Sequence, residues 1–286
     1  MSKTAPERSV EAIDAPLSSP KPLLARWLSP PGPPAMRLYH SAGAAVMAVP
    51  GRYGVSYLLL GDGAIAVADC GSAADIEPIL AALRWLERDP GEVHDVIPTH
   101  LHFDHMMGVD PLALRVGAAV TLGRVAWEHV NEGRRLRWPR RWRLLRAIPT
   151  WPMQGMPLFP VADFRGGLGF GFPWAQNHFR APLGPALEDG QSLPGLDGWT
   201  VIETPGHSDD AICLVHAEAG WLIAGDTLRN FLGGELNPLL TDAEDYRRTK
   251  RRLGELHVRF VFPGHGPAFA LPGGVQGLAT LPWWMP

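Results

Sequence analysis

The sequence predicts an α/β fold in which helices cover the faces of β-sheets, and three observations predict it. Strand-like runs, GVSYLLL (54–60), AIAVAD (64–69) and VHDVI (93–97), surround a segment whose apolar residues Ile76, Leu80, Leu83 and Leu86 recur at helical spacing. The same alternation returns in the second half of the chain. Several of these runs also deliver the chain into loops rich in histidine and aspartate. Layered α/β folds hold their functional groups at such strand ends, because the strands fix the base of a loop whose backbone stays free to aim side chains.

Taken in order, residues 1–36 are rich in proline, serine and charge (PLSSPKP, SPPGPP) and read as an extended arm, poorly able to form a core, ahead of one domain over 37–286. Order is expected to begin at GVSYLLL, which Gly61-Asp62-Gly63 joins to AIAVAD as a hairpin. Ser72 stands as an N-cap with Asp75 three residues later, opening a helix to Glu87. VHDVI is the next strand and leads into THLHFDH. The region from about 124 to 190 lacks strand periodicity and reads as an insertion, opening with RRLRWPRRWRLLR (134–146), seven arginines in thirteen residues. Strands resume with WTVIET (199–204), AICLVHA (211–217) and GWLIAGDT (220–227). Thr241 and Glu244 predict a capping box for a helix to about Leu256, with Tyr246, Leu253 and Leu256 on one face, and VRFVF (258–262) then runs into PGHG.

With 286 residues, 46% of them hydrophobic, the chain suits one large globular domain. A net charge of −3 gives no global pull toward nucleic acid. No apolar run approaches the roughly 18 residues of a membrane span, and the N-terminus lacks the apolar core of a secretory signal. Cys70 and Cys213, far apart, form no disulfide framework and fit the core of a cytoplasmic protein.

The residues at the strand ends are Asp69; His100, His102, Asp104 and His105; His207; Asp226; and His265. Imidazole and carboxylate are the usual ligands of zinc and also serve iron and manganese. In HxHxDH the two-residue alternation lets His100 and His102 point one way, while Asp104 and His105 must turn elsewhere. One loop can therefore serve two metals about 3.5–4 Å apart, and the two oxygens of Asp226 can bridge them.

THLHFDH, TPGHSDD, AGDT and FPGHG, in that order, resemble the metallo-β-lactamase-fold hydrolases over about residues 40–266, with Asp69 in VADCG matching the family's early aspartate. The resemblance implies a four-layer αββα sandwich with a dinuclear site in the cleft along one sheet edge. It places His100, His102 and His207 on one metal, Asp104, His105 and His265 on the other, Asp226 between them and Asp69 in support behind. It implies two divalent ions, zinc before iron or manganese. The expected reaction is hydrolysis of an ester, thioester or lactone by a metal-bridging hydroxide, with Asp104 and Asp226 in the catalytic roles. Phosphodiesterase or nuclease activity, and persulfide oxidation at a single iron, are the alternatives on this fold.

Within the family the motifs point several ways. The absence of a cysteine ligand is unlike one group of zinc β-lactamases. FPGHGP and GDTL look like the glyoxalase II group, but only 21 residues follow His265, too few for that group's C-terminal helical domain. HLHFDH resembles the lactonases, except that Met106-Met107-Gly108 stands where they carry a small residue and glycines, so these methionines are expected to narrow or grease the cleft floor. The expected partner is a small-molecule substrate, anionic or amphiphilic. The 134–146 stretch, with Trp138 and Trp142, is read either as a contact for an anionic substrate or a peripheral membrane surface, ahead of RNA, or as a solvated helix pair broken by Pro139. Phe164, Phe170, Phe172 and Trp174 suit an apolar lid, and His178 is a candidate substrate contact.

Overall fold

The computed structural model describes residues 11–14, 36–137, 178–231 and 233–278. Trp138, Trp142, Arg140, Arg141, Arg143 and Arg146, the four aromatics from Phe164 to Trp174 and most of the N-terminal segment lie outside the described residues. No helix among the described residues is long and apolar enough to cross a membrane.

Seven strands form the first sheet in sequence order: β1 (Glu11–Asp14), β2 (Arg37–Ser41), β3 (Ala44–Pro50), β4 (Val55–Leu60), β5 (Ile65–Ala68), β6 (Val93–Ile97) and β7 (Ala119–Val120). The first five make an antiparallel meander, and β5, β6 and β7 then pair in parallel. Parallel neighbours need crossovers. Helix α1 (Ile76–Trp85) supplies the first, and α2 (Phe103–Met106) with α3 (Val109–Val116) the second. Helix α4 (Arg124–Glu132) follows β7. The second sheet comprises β8 (Trp199–Glu203), β9 (Ile212–His216), β10 (Trp221–Gly225), β13 (Phe260–Pro263) and β14 (Phe269–Ala270), in the order β14-β13-β10-β9-β8. A small hairpin, β11 (Leu228–Arg229) with β12 (Glu235–Leu236), and helix α5 (Ala243–Gly254) lie between β10 and β13 in sequence.

Side-chain alternation fixes the layers, because successive strand residues face opposite sides of a sheet. Along β4, Leu58 packs among the residues of α1 and α3, while Tyr57 and Leu59 pack against the second sheet. Along β9 and β10, Ile212, Leu214, Trp221 and Ile223 face the first sheet, while Cys213, Val215, Leu222 and Ala224 pack with Tyr246 and Leu253 of α5. Three apolar layers therefore separate four layers of structure, helix, sheet, sheet, helix, the expected αββα order. Burial on both faces explains why these strands read as nearly continuous hydrophobic runs.

Two sequence expectations fail here for identifiable reasons. Order begins before GVSYLLL: β2 and β3 form a hairpin, and β1, inside the proline-rich arm, extends it. The β3 run AAVMAVP is half alanine and proline, residues depleted in strands, so propensity hides it while burial between layers stabilises it. Thr241 is not the cap of α5. Asp242 is, its Oδ1 accepting from the Glu244 and Asp245 amides at 2.8 and 3.0 Å. Ser72 does cap as expected, its Oγ accepting from the Ala74 amide at 3.1 Å, and opens a 3₁₀ turn that runs into α1.

Both described ends of the segment read as an insertion pack into the domain. Ala126 of α4 and Ala181 are buried in the outer core, and the Gly184 and Leu187 amides donate to the Val120 and Leu122 carbonyls at 2.9 and 2.8 Å. Met106 also departs from expectation. It does not line a cleft floor but is fully buried in the core between α3 and the first sheet. Met106→Ala is accordingly expected to lower stability by about 2–5 kcal/mol, read as a fall in urea midpoint with an unchanged slope. Met107 packs instead with Tyr53 and Phe103.

Candidate metal centre

Five loops at one edge of the two sheets bring the strand-end residues together. β6 ends at Ile97, and the extended residues after it present His100 and His102 on the same side, with His100 Nε2 and His102 Nδ1 2.9 Å apart. Helix α2 then starts immediately after His102 and swings Asp104 and His105 to another side. The loop after β8 adds His207, whose Nε2 lies 3.0 Å from His102 Nδ1. The turn after β10 adds Asp226, and the loop after β13 adds His265.

The donor atoms fall into three overlapping groups: His100, His102 and His207; His100, His105 and Asp226; and Asp104, His105 and His265, each with its atoms within 4.8 Å of one another. Asp226 faces both ends of the cluster. Its Oδ1 lies 3.3 Å from His105 Nε2 and 3.3 Å from His265 Nε2, and its Oδ2 lies 3.4 Å from His207 Nε2. His265 Nε2 and Asp104 Oδ2 are also 3.3 Å apart. Ligands bonded at about 2.0–2.1 Å to a tetrahedral cation stand about 3.3 Å from one another.

Divalent cations fit these residues on three grounds internal to the structure. His105 Nε2 and Asp226 Oδ1 are buried without any hydrogen-bond partner, a costly arrangement that a shared cation relieves. Three rings have their other nitrogen committed: His105 Nδ1 to Asp69 Oδ2 at 2.8 Å, His207 Nδ1 to the Leu239 carbonyl at 2.7 Å and His265 Nδ1 to the Tyr53 carbonyl at 3.1 Å. Donation from Nδ1–H leaves the Nε2 lone pair turned inward, the tautomer a metal requires. A Cβ at Gly264 would stand 2.5 Å from His105 Cε1 and 2.9 Å from Asp226 Oδ1, so only glycine leaves this space open.

The electrostatics divide the site. Burial, reinforced by neighbouring imidazoles, holds His100 well below its usual range and His102 down at about 3, and burial also lowers His207. Burial pulls His105 and His265 down as well, but for His105 the carboxylates of Asp69, Asp226 and Asp104 outweigh it, and for His265 those of Asp226 and Asp104, so both are raised. Burial works against ionisation of Asp226, yet His265 and His105 hold its carboxyl well below the usual range.

A sequence-family model described as the metallo-beta-lactamase superfamily matches residues 49–265, spanning all the clustered donors. The chain belongs to the metallo-beta-lactamase superfamily. Among curated relatives, the probable metallo-hydrolase YqjP of Bacillus subtilis is 36% identical over 94 residues, 29% of this chain and 29% of that protein. The atrochrysone carboxyl ACP thioesterase of Aspergillus fumigatus is 34% identical over 87 residues, 30% of this chain and 26% of that protein. The hydroxyacylglutathione hydrolase of Hydrogenovibrio crunogenus is 45% identical over 60 residues, 21% of each. These matches span under a third of the length of the curated relatives. Among solved structures, a metallo-beta-lactamase family protein of Thermus thermophilus superposes with a TM-score of 0.55 at 25% identity, covering 82% of this chain and 77% of that one. The metallo-beta-lactamase MIM-1 of Novosphingobium pentaromativorans gives 0.53 at 19% identity, covering 82% and 77%, a likeness of fold.

Behind the superfamily's motif residues stands a supporting set. Asp69 holds a left-handed backbone (φ 61°), which turns its carboxylate back onto the Thr99 amide at 2.6 Å, the Thr99 hydroxyl at 3.0 Å and His105. Thr99 Oγ1, donating to Asp69, is in turn 3.2 Å from His100 Nδ1 and accepts from it. Sequence reasoning singled out Asp69 but missed Thr99, Asp210 and Asn237. Asp210 Oδ2 accepts from the Leu101 amide at 2.7 Å and its Oδ1 from Ser208 Oγ at 2.5 Å, pinning the His100–His102 stretch to the His207 loop. Asn237 Nδ2 donates to Asp226 Oδ2 at 3.3 Å, and the Thr241 hydroxyl donates to the His207 carbonyl at 2.6 Å. The only sequence signal for Asp210 is its place in TPGHSDD. Asp210→Ala removes a buried acceptor from both loops and is expected to lower zinc affinity by about 10–100-fold in chelator competition while the fold persists by circular dichroism. His178, the other candidate, is exposed and belongs to none of the donor groups.

Proposed function

We propose that this chain is a metal-dependent hydrolase that splits a thioester, or a related ester or lactone, at a dinuclear centre. One ion is held by His100, His102 and His207, the other by Asp104, His105 and His265, with Asp226 shared. The observation that carries this reading is Asp226, whose two carboxylate oxygens face different donor groups. The all-nitrogen-and-oxygen donor set suits zinc first, with iron or manganese also compatible. Such a pair of ions supplies Lewis acidity and lowers the pKa of water toward 7.

The chain's own residues do the rest. Asp104, kept ionised by His105 and His265 against the opposing effect of burial, accepts the proton of the attacking water. The water oxygen bonds to the acyl carbon, the carbon–sulfur or carbon–oxygen bond breaks, and the proton passes to the leaving group. Phe103, half-buried between His102 and Asp104, stacks edge-on against Tyr53 at 6.0 Å over Met107, giving an apolar wall for the acyl group. Thioesters come first because two of the relatives are named for that chemistry. The test is elemental analysis of the purified chain, followed by turnover of a thioester, a lactone, a phosphodiester, nitrocefin and glutathione persulfide after zinc, iron or manganese loading. About two ions per chain with thioester or lactone turnover is expected. Fewer than one ion per chain, or oxygen uptake on persulfide as the sole activity, sinks the proposal.

A further inference from the structure

We infer that the outer face of α5, with Arg135 beside it, is a docking surface for an acidic carrier protein that presents the acyl group as a thioester on a tethered arm. The inference rests on the thioester reading above. Helix α5 carries Arg247, Arg248, Lys250, Arg251 and Arg252 against Glu244 and Asp245. Of the acids nearby, the aspartates are already engaged, while Glu244 and Glu255 are exposed and form no ion pair among the described residues. Arg137 binds Asp209 at 3.0 Å, Asp242 at 2.9 Å and Asp245 at 2.6 Å, so one guanidinium closes on three carboxylates. Arg248 pairs with Asp245, and Arg252 with Asp189 at 2.8 Å. Four cations are left over: Arg247, Lys250, Arg251 and Arg135 have no carboxylate partner among the described residues, and all but Lys250 are exposed. Arg247, Lys250 and Arg251 stand at i, i+3 and i+4 and so share one face. Arg135 is two residues from the clamped Arg137, within about 7 Å along the chain.

The placement gives this charge a purpose. The cap and the buried face of α5 touch the His207 loop directly: the Asp242 amide donates to the Gly206 carbonyl at 3.2 Å, and Thr249 Oγ1 donates to the Pro205 carbonyl at 2.7 Å. A partner seated on the outer face of α5 is separated from the His207 loop by the thickness of one helix, about 10–12 Å, a span that a tethered thioester can bridge. The exposed positions of α5, Glu244, Arg247, Arg248 and Arg251, include no aromatic or aliphatic side chain. A membrane-surface helix inserts such residues into the bilayer, and single-stranded nucleic acid stacks on aromatics, so the bare cationic face fits an acidic protein better than either. Opposed charges of this kind chiefly set encounter rate and register.

The test uses the full, zinc-loaded chain and one acyl group in two forms: on an acidic acyl carrier protein and on N-acetylcysteamine, a small neutral thiol. The triple variant Arg247→Glu/Lys250→Glu/Arg251→Glu is expected to lower kcat/KM on the carrier-bound thioester by about tenfold or more, with the small thioester unchanged. Raising salt from about 50 to about 500 mM is expected to reduce only the carrier-bound rate of the wild type. The milder triple glutamine variant, expected to fall between, guards against misfolding. Equal carrier-bound rates in wild type and variant mean a solvated face only and overturn the inference. So does loss, in the variant, of co-sedimentation with equimolar phosphatidylserine–phosphatidylcholine vesicles while the carrier-bound rate holds. If no thioester is hydrolysed at all, the functional reading fails. Fluorescence anisotropy of labelled carrier protein then decides docking alone: binding lost in the triple variant supports it, and equal or absent binding overturns it.

Discussion

Asp226→Asn is expected to lower hydrolysis by about a thousandfold or more, about 4 kcal/mol of transition-state stabilisation, and to reduce bound metal from about two ions per chain to about one. Asparagine keeps the shape of the side chain, so the turn after β10 and the Asn237 contact can survive. What is lost is charge and one acceptor. In the native chain the two oxygens face different rings, one toward His105 and His265 and the other toward His207. An amide offers one oxygen and one NH₂, and the NH₂ must face an inward-turned Nε2 whose lone pair a cation needs. The carboxylate is also one of three, with Asp69 and Asp104, that give the cleft its negative charge among five histidines. Metal counting by elemental analysis and turnover of the best panel substrate, with circular dichroism as the folding control, check the result. Two ions per chain and turnover within tenfold of wild type would show that Asp226 is not shared between them.

The motif residues were readable because each follows a strand that its own apolar run announces. The chain needs only the two packed sheets to bring His100, His207, Asp226 and His265 together, with β6 of the first sheet and β8, β10 and β13 of the second all ending at the same edge. What props those residues up was not readable. Asp210 meets Leu101 across 109 residues of sequence, and nothing local distinguishes it from its neighbour Asp209, which turns outward to Arg137. Thr241 shows the same limit from the other side. Its spacing to Glu244 is a fair capping box, but the tertiary structure draws its hydroxyl to His207, and Asp242 takes the cap. Arg137 stands in a run read as contact for a membrane or an anionic substrate, yet it is tied to three aspartates that lie 72, 105 and 108 residues away. Composition gives the sign of that run; only the fold says which of its charges are already used.

The two donor groups are expected to part company on acidification, the group of Asp104, His105 and His265 losing its ion first. The sign follows from the cation-free chain. His105 and His265 are raised above the ordinary imidazole value of about 6.5, so on acidification each takes up, earlier than an ordinary imidazole would, a proton that a cation must displace. Affinity at that group therefore falls with pH, by about tenfold per pH unit for each proton displaced, throughout the range below the raised values. His100, His102 and His207 are lowered, His102 to about 3, so they stay neutral to lower pH than an ordinary imidazole and compete less with the first ion for protons. Asp226 and Asp104 stay ionised, since neighbouring histidines hold both below the ordinary carboxylate value of about 3.9. Neither masks the difference. Dialysis of the zinc-loaded chain against a fixed free-zinc buffer at several values between pH 8 and pH 5 should show stoichiometry falling from about two toward one as a plateau, with turnover falling in step. Asp69→Asn removes the carboxylate beside His105 Nδ1, lowers the affinity of that ring for its proton and should move the step to lower pH. Simultaneous loss of both ions, or a step that Asp69→Asn leaves in place, would mean that the carboxylates do not divide the site in this way.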